Sequence, residues 1–213
     1  ELADLLVNAA GNGLERVYFA GNSGSEACEA AMKLSFQVHF DNGKASKTWF
    51  IGREQSYHGI SSDTLAFCDR PHLQMFAPFY PSRRAKIEEH NAYRHRKAGE
   101  SIEAYAERSA QALEQKILEL GPDNVAGFVA ETMQGGLVGS VPASPGYWRA
   151  IRKICDRYNV HLILDEVWCG NGASGRYLCV DWDGVSPDFL FMAKLLGAGY
   201  APISIVMMRK EIA

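Results

Sequence analysis

Apolar residues fall into two rhythms along the chain. Continuous runs rich in branched or aromatic residues recur at Val17–Ala20, Thr48–Ile51, Val125–Ala130, Val160–Leu164 and Phe189–Met192. Lacking polar alternation, Val160–Leu164 and Val125–Ala130 predict strands buried on both faces, as in a parallel sheet beneath helices, and the other runs read as short strands. Between them the apolar spacing changes to three and four, which predicts helices. Residues 1–10 form one, ended by Gly11-Asn-Gly13. A second follows Gly21-Asn-Ser-Gly-Ser25, carries Ala27, Ala31, Leu34 and Val38 on one face, and stops at Asp41-Asn-Gly43. A third, capped by Ser101, turns Ile102, Tyr105, Ala106, Leu113 and Ile117 inward and ends at Gly121-Pro122. The fourth begins at Ser144-Pro145 with a cap and a proline in its first turn. It buries Trp148, Ile151, Ile154 and Tyr158 and closes at Asn159. Alternating strand and helix predict an α/β fold: a doubly wound, mainly parallel sheet flanked by helices, with right-handed crossovers. Residues 67–101 carry no periodicity and read as an ordered surface excursion, with Arg83, Arg84 and Lys86 on a solvated face.

Composition changes this picture little. With 213 residues, 47% apolar and 22% charged, the chain has enough material for a substantial core. A net charge of -3 offers no basis for binding nucleic acid or an anionic membrane. No apolar run reaches spanning length and no signal peptide is present. The five cysteines are odd in number, show no paired metal spacing, and read as reduced thiols of a cytoplasmic protein.

The candidate chemistry sits where strands end. Val160–Leu164 runs directly into Asp165 and Glu166, Phe189–Met192 leads to Lys194, and Val125–Ala130 delivers Glu131. In open α/β sheets, ligands bind at the carboxyl ends of the strands. Taken singly, a strand-end carboxylate is more often a cap and a lone lysine more often solvated. The stretch Gly21-Asn-Ser-Gly-Ser25 joins a strand to a helix N-terminus, which is the geometry of an anion site. Ser23, Gly24 and Ser25 are its candidate donors, and simple capping by Asn22 or Ser23 is compatible with that role. In Ser56-Tyr-His-Gly59, Tyr57 beside a glycine can lay its face on a flat heterocycle. His58 reads as a satisfied histidine supporting the site and not as a proton carrier.

These motifs, in this order, resemble the class III aminotransferases, pyridoxal-phosphate enzymes of fold type I. The resemblance rests on Asn22-Ser-Gly-Ser-Glu-Ala27, Ser56-Tyr-His-Gly59, Glu131-x-x-Gln-Gly135, Leu164-Asp-Glu-Val167, Ser186-Pro-Asp188 and Ala193-Lys-x-Leu-Gly-x-Gly-Tyr200. It implies that Lys194 carries pyridoxal 5'-phosphate as a Schiff base and that Asp165 faces the pyridine nitrogen. It places Tyr57 and Val167 on the two ring faces, Ser23, Gly24 and Ser25 around the phosphate, and Glu131 and His58 near the ring. It implies transamination from an amine or amino acid to a 2-oxo acid, in a homodimer with the active site at the interface. An aminomutase of the glutamate-1-semialdehyde type or a decarboxylase shares the fold. A nucleotide-binding module is disfavoured, because neither a G-x-G-x-x-G nor a Walker sequence is present.

Several positions depart from the family pattern. Trp168 follows the Asp-Glu-Val triplet where glutamine is common, and Gly136 stands where ω-amine-specific members carry glutamate. Thr132, Leu195 and Ala173 replace proline, glycine and arginine respectively. These changes leave Lys194, Asp165 and the phosphate loop intact but blur the substrate. Members of the family are much longer than this chain, which therefore reads as the large cofactor domain over residues 1–213, lacking the small-domain segments. Such a fragment is expected to bind the cofactor loosely and to transaminate poorly or remain inactive.

Overall fold

The core grows from a seven-stranded sheet whose central strands are apolar on both sides. A computed structural model of the chain describes residues 1–212. Its strands are β1 (Leu14–Gly21), β2 (Trp49–Arg53), β3 (Arg84–Ile87), β4 (Val125–Glu131), β5 (Met133–Gln134), β6 (Val141–Pro142), β7 (His161–Asp165), β8 (Phe189–Met192) and β9 (Ser204–Arg209). The helices are α1 (Leu2–Ala10), α2 (Gly24–Asp41), α3 (Ser62–Leu65), α4 (Ala92–His95), α5 (Ile102–Leu120) and α6 (Tyr147–Tyr158). Strands run in the order β1-β9-β8-β7-β4-β2-β3, while β5 and β6 form a separate two-stranded ribbon. From β8 across to β3 all neighbours are parallel; β9 pairs antiparallel with both β8 and β1. The fold is thus the expected α/β arrangement, with an antiparallel margin on one side.

Alternation along the central strands feeds two cores. Leu162 and Leu164 of β7 point to one face, where they join Leu113 and Ile117 of α5 and Trp148 and Ile151 of α6. Ile163 points to the other face, with Phe189, Phe191 and the small residues Ala27 and Ala31 of α2. Side chains without bulk on α2 let its axis approach the sheet closely. Each fully buried Leu, Ile or Phe is worth about 1.5–3 kcal/mol relative to exposure, so both faces hold the strand directions firmly.

Four expectations are corrected. Residues 67–101, expected as an ordered excursion without periodic elements, contain a strand of the main sheet: Arg84–Ile87 forms the edge strand β3, parallel to β2. Its polar residues hide the strand in sequence, as suits an edge. Arg84 and Lys86 accordingly do not form a free solvated face. Arg84 pairs with Asp63 and lies over the Phe50 ring, and Lys86 pairs with Asp69. Ser144 does not cap α6; Gly146, at φ 91°, holds that position, and the Ser144 hydroxyl instead meets His90 Nε2 at 3.0 Å. Finally, the buried face of α2 centres on Ala27, Ala31, Ser35 and His39, with Leu34 and Val38 at its margin. Ser35 and His39 are buried because each finds a partner, in His161 Nδ1 and the Ala126 carbonyl.

Candidate active site

Strand register brings the acids together. Glu131 of β4 pairs with Asp165 of β7, and Asp165 pairs with Phe191 of β8, three residues before Lys194. All three polar groups therefore leave the carboxyl ends of adjacent parallel strands, where such sheets bind ligands. They open into a cleft of about 550 Å³, which Ser23, Gly24, Ser25, Tyr57, His58 and Val167 also line. Every site residue expected from sequence is gathered around this one cleft.

Asp165 is the most constrained of them. It is 4% exposed, and each oxygen takes one donor: His58 Nδ1 at 2.8 Å on Oδ2 and the Val167 N–H at 2.9 Å on Oδ1. His58 is itself buried and packs edge-on against Phe67, which leaves its Nδ1 aimed at the acid. Its Nε2 is buried without a hydrogen-bond partner among the described residues, so the ring is satisfied on one side alone. Glu131 has a different task from Asp165. Its carboxylate accepts the backbone N–H groups of Tyr57 at 3.1 Å and Gly135 at 2.8 Å. Burial pushes its carboxyl up, and these donors oppose that shift only in part. It is a staple that holds the Tyr57 backbone against the end of β4. Gln134 points away, donating to the Glu54 carbonyl at 2.7 Å.

Glu166, next to Asp165, turns inward. It is fully buried and accepts from the Cys179 N–H, the Val180 N–H and the Thr132 hydroxyl. Sequence treats the two strand-end acids alike, whereas alternation at the strand end sends them to opposite sides. Lys194 is exposed, at the start of a short 3-10 turn with φ 47°. A left-handed lysine is uncommon and directs its side chain off the axis of β8.

The helix end shows the capping role foreseen for it. Ser23 caps α2 in a capping box: its hydroxyl accepts from Glu26 N–H, and the Glu26 carboxylate accepts from the Ser23 and Asn22 N–H groups. The Ser25 hydroxyl accepts from the Ile60 N–H at 3.1 Å. What stays free is the backbone: among the described residues, the N–H groups of Gly24 and Ser25 at the first turn meet no protein acceptor. Two glycines keep this end open. A Cβ on Gly24 would sit 2.9 Å from a Val167 methyl, and one on Gly59, at φ 145°, only 2.3 Å from Ser25 Oγ.

Sequence reasoning misses two arginines. Arg53 is buried, donates to the Glu131 carbonyl and lies over Trp148, bracing the end of β4. Arg70 lines the cleft, with its guanidinium 4.8 Å above the Tyr57 ring. Neither lies in a recognisable motif, and only tertiary proximity reveals them.

Comparison with known proteins specifies the family to which this fold and cleft belong. The profile "Aminotransferase class-III" matches residues 1–213, and the chain belongs to that family. It is 40% identical over 205 residues to an uncharacterised aminotransferase of Schizosaccharomyces pombe, covering 96% of this chain and 44% of that protein. It is 34% identical over 201 residues to a hypotaurine/taurine–pyruvate aminotransferase of Paracoccus denitrificans, covering 94% and 42%. Among solved structures it superposes on the ω-transaminase of Pseudomonas jessenii in complex with PMP with a TM-score of 0.92. That pair is 34% identical, with 99% of this chain and 46% of that one covered. The chain thus spans less than half the length of the relatives it matches. Class III aminotransferases are pyridoxal-phosphate-dependent.

Proposed function

We propose that the chain is the cofactor-binding large domain of a pyridoxal-phosphate-dependent transaminase. It would move an amino group from an amine or amino acid to a 2-oxo acid. One observation carries the reading: Lys194 and the braced acid Asp165 leave adjacent strand ends and line the same cleft. The residues present suit the cofactor by their chemistry. They offer an amine for an aldehyde, an acid for a ring nitrogen, an aromatic and a branched side chain for two flat faces, and free N–H groups for a phosphate.

Bound there, pyridoxal phosphate supplies an electron sink for the carbon that carries the substrate nitrogen. Lys194 Nζ would hold the cofactor's aldehyde carbon, and the same amine would carry a proton to or from the substrate carbon. Asp165 would face the ring nitrogen, and its bonds from His58 and Val167 hold the carboxylate in place, so that little reorganisation would accompany the reaction. Tyr57 and Val167 would clamp the ring, with Glu131 fixing the Tyr57 backbone. Gly24 and Ser25 would give backbone N–H groups to the phosphate at the positive end of α2, with the Ser23 hydroxyl beside them. A homodimer with the site at its interface, and a reducing, cytoplasmic setting in keeping with five free buried thiols, complete the proposal. Among the described residues, no helix is long and apolar enough to cross a membrane.

The test is borohydride reduction of the protein mixed with pyridoxal phosphate, followed by peptide mass spectrometry. The adduct is expected on the peptide that contains Lys194. An adduct on the buried Lys47, or no adduct at all, would overturn the assignment.

A further inference from the structure

The loop that follows Val167 and Trp168 returns on itself and brings two thiols together. One acid clamps both of its ends. The Gly170 N–H donates to the Glu166 carbonyl at 2.9 Å, and the Cys179 and Val180 N–H groups donate to the Glu166 carboxylate at 2.7 and 2.8 Å. Between them Asn171, Gly172 and Gly175 take positive φ, which turns the chain tightly. Cys169 and Cys179 therefore sit side by side, and the Cys169 thiol donates a hydrogen bond to the Cys179 sulfur.

The two thiols differ in access. Cys179 lines a second cleft of about 350 Å³, together with Met133, Pro142, Pro145, Trp148 and the exposed Trp182. Cys169, 2% exposed, lines neither this cleft nor the one that holds Asp165. They differ in chemistry too. The bond from Cys169 holds the Cys179 thiol below its ordinary range, against burial and the charges of Glu166 and Asp181. The same bond, with burial, holds Cys169 up. Cys28, Cys68 and Cys155 are fully buried, and burial pushes all three thiols up.

We propose that Cys179 is a peroxide-reactive thiol and Cys169 its resolving partner, so that hydrogen peroxide converts the pair into an intrachain disulfide. The Cys179 thiolate attacks one oxygen of the peroxide, the O–O bond breaks, and the leaving hydroxide takes up the thiol's proton as water. The Cys169 sulfur then attacks the Cys179 sulfenic acid, forms the S–S bond and expels a second water, which carries away its proton. Two thiols lose two electrons in all, and one peroxide is reduced to two waters. The disulfide joins the ends of the loop beside the cleft residues Val167 and Trp168. The inference stands apart from the transaminase reading, since it uses neither the cofactor nor Lys194.

The experiment treats the full-length protein with a few equivalents of hydrogen peroxide, alkylates the remaining thiols and digests the denatured protein with trypsin. Cleavage after Arg157, Arg176 and Lys194 places Cys169 and Cys179 on separate peptides, 158–176 and 177–194. These are expected to appear joined, about 2 Da lighter than their summed masses, and dithiothreitol should separate them. Cys169→Ser keeps a donor beside Cys179 and should stop at a sulfenic acid, which dimedone traps on Cys179. In Cys179→Ser, Cys169 should stay a free thiol. An unlinked pair with both thiols alkylated would overturn the proposal, as would a bond from either cysteine to Cys28, Cys68 or Cys155. So would dimedone on Cys169 in Cys179→Ser. The linkage in the unaltered protein decides the matter even where a substitution folds poorly.

Discussion

His58 Nδ1 lies 2.8 Å from Asp165 Oδ2, a contact that joins residues 107 positions apart and that fixes the acid at the floor of the cleft. With the Val167 N–H on the other oxygen, the carboxylate has no freedom to rotate. Asp165→Asn keeps the shape but replaces one oxygen with an amide that cannot serve the ring nitrogen as an acid does. It is expected to retain the cofactor weakly and to lose roughly 100-fold or more in half-reaction rate, measured by stopped-flow absorbance in the full-length protein. A near wild-type rate would remove Asp165 from the electron-sink role. His58→Phe should show a smaller loss, because it disturbs the aim of the acid and not its charge.

Gly59 offers a test of the anion end that leaves every proposed donor in place. An alanine there would press its Cβ to 2.3 Å from Ser25 Oγ and would have to adopt φ 145°. Gly59→Ala is expected to cost about 1–3 kcal/mol of stability and to displace the first turn of α2. Cofactor affinity should fall about tenfold, read by fluorescence titration. Unchanged affinity would mean that the first turn of α2 does not hold the phosphate.

Glu166 gives a pH dependence with a definite sign. Burial pushes its carboxyl up to about 7 from an ordinary 4.5, against three donors that favour the charged form. An acid that gains its proton more readily on folding stabilises the fold fully below about 4.5, and that stabilisation is lost as pH rises through about 7. In Glu166→Gln the amide faces a backbone N–H and does not titrate. The Tm gap between wild type and variant should therefore be largest near pH 5 and narrow towards pH 8. A constant gap would contradict the shift.

His90 has the opposite sign. It accepts the Ser144 N–H at Nε2 and meets Ser109 Oγ through Nδ1, an arrangement that requires the neutral ring. Burial, followed by the Arg53 charge, holds its pKa down at about 3. Its contribution is complete above the ordinary 6.5 and is lost as pH falls towards 3. His90→Gln should lower stability at pH 7 by about 1–3 kcal/mol and flatten the fall of Tm between pH 7 and 4. An unaltered slope would place the acid sensitivity elsewhere.

Much of this was legible in the residues themselves. Buried runs such as Val160–Leu164 announce parallel strands, because a strand covered on both faces suits continuous apolar side chains. The apolar run Val17–Ala20, by contrast, lies in an antiparallel strand with Tyr18 and Phe19 half exposed. The ordered motifs around Ser23, Tyr57, Asp165 and Lys194 fixed the family. Tertiary structure decided what depends on direction and distant contact. Asp165 and Glu166 are adjacent acids at the same strand end, yet alternation of side chains sends one to the cleft and buries the other among the amides of residues 179 and 180. The strand β3 escapes notice because an edge strand needs no apolar run, and it gains its order from pairing with β2. Glu131 lies beside Asp165 in register but braces the backbone of Tyr57, a role set by a partner 74 residues away. Arg70 carries no motif at all. Its place at the cleft arises from what surrounds it in space, the Tyr57 face beneath it and Gly136 beside it, and local sequence holds no record of such neighbours.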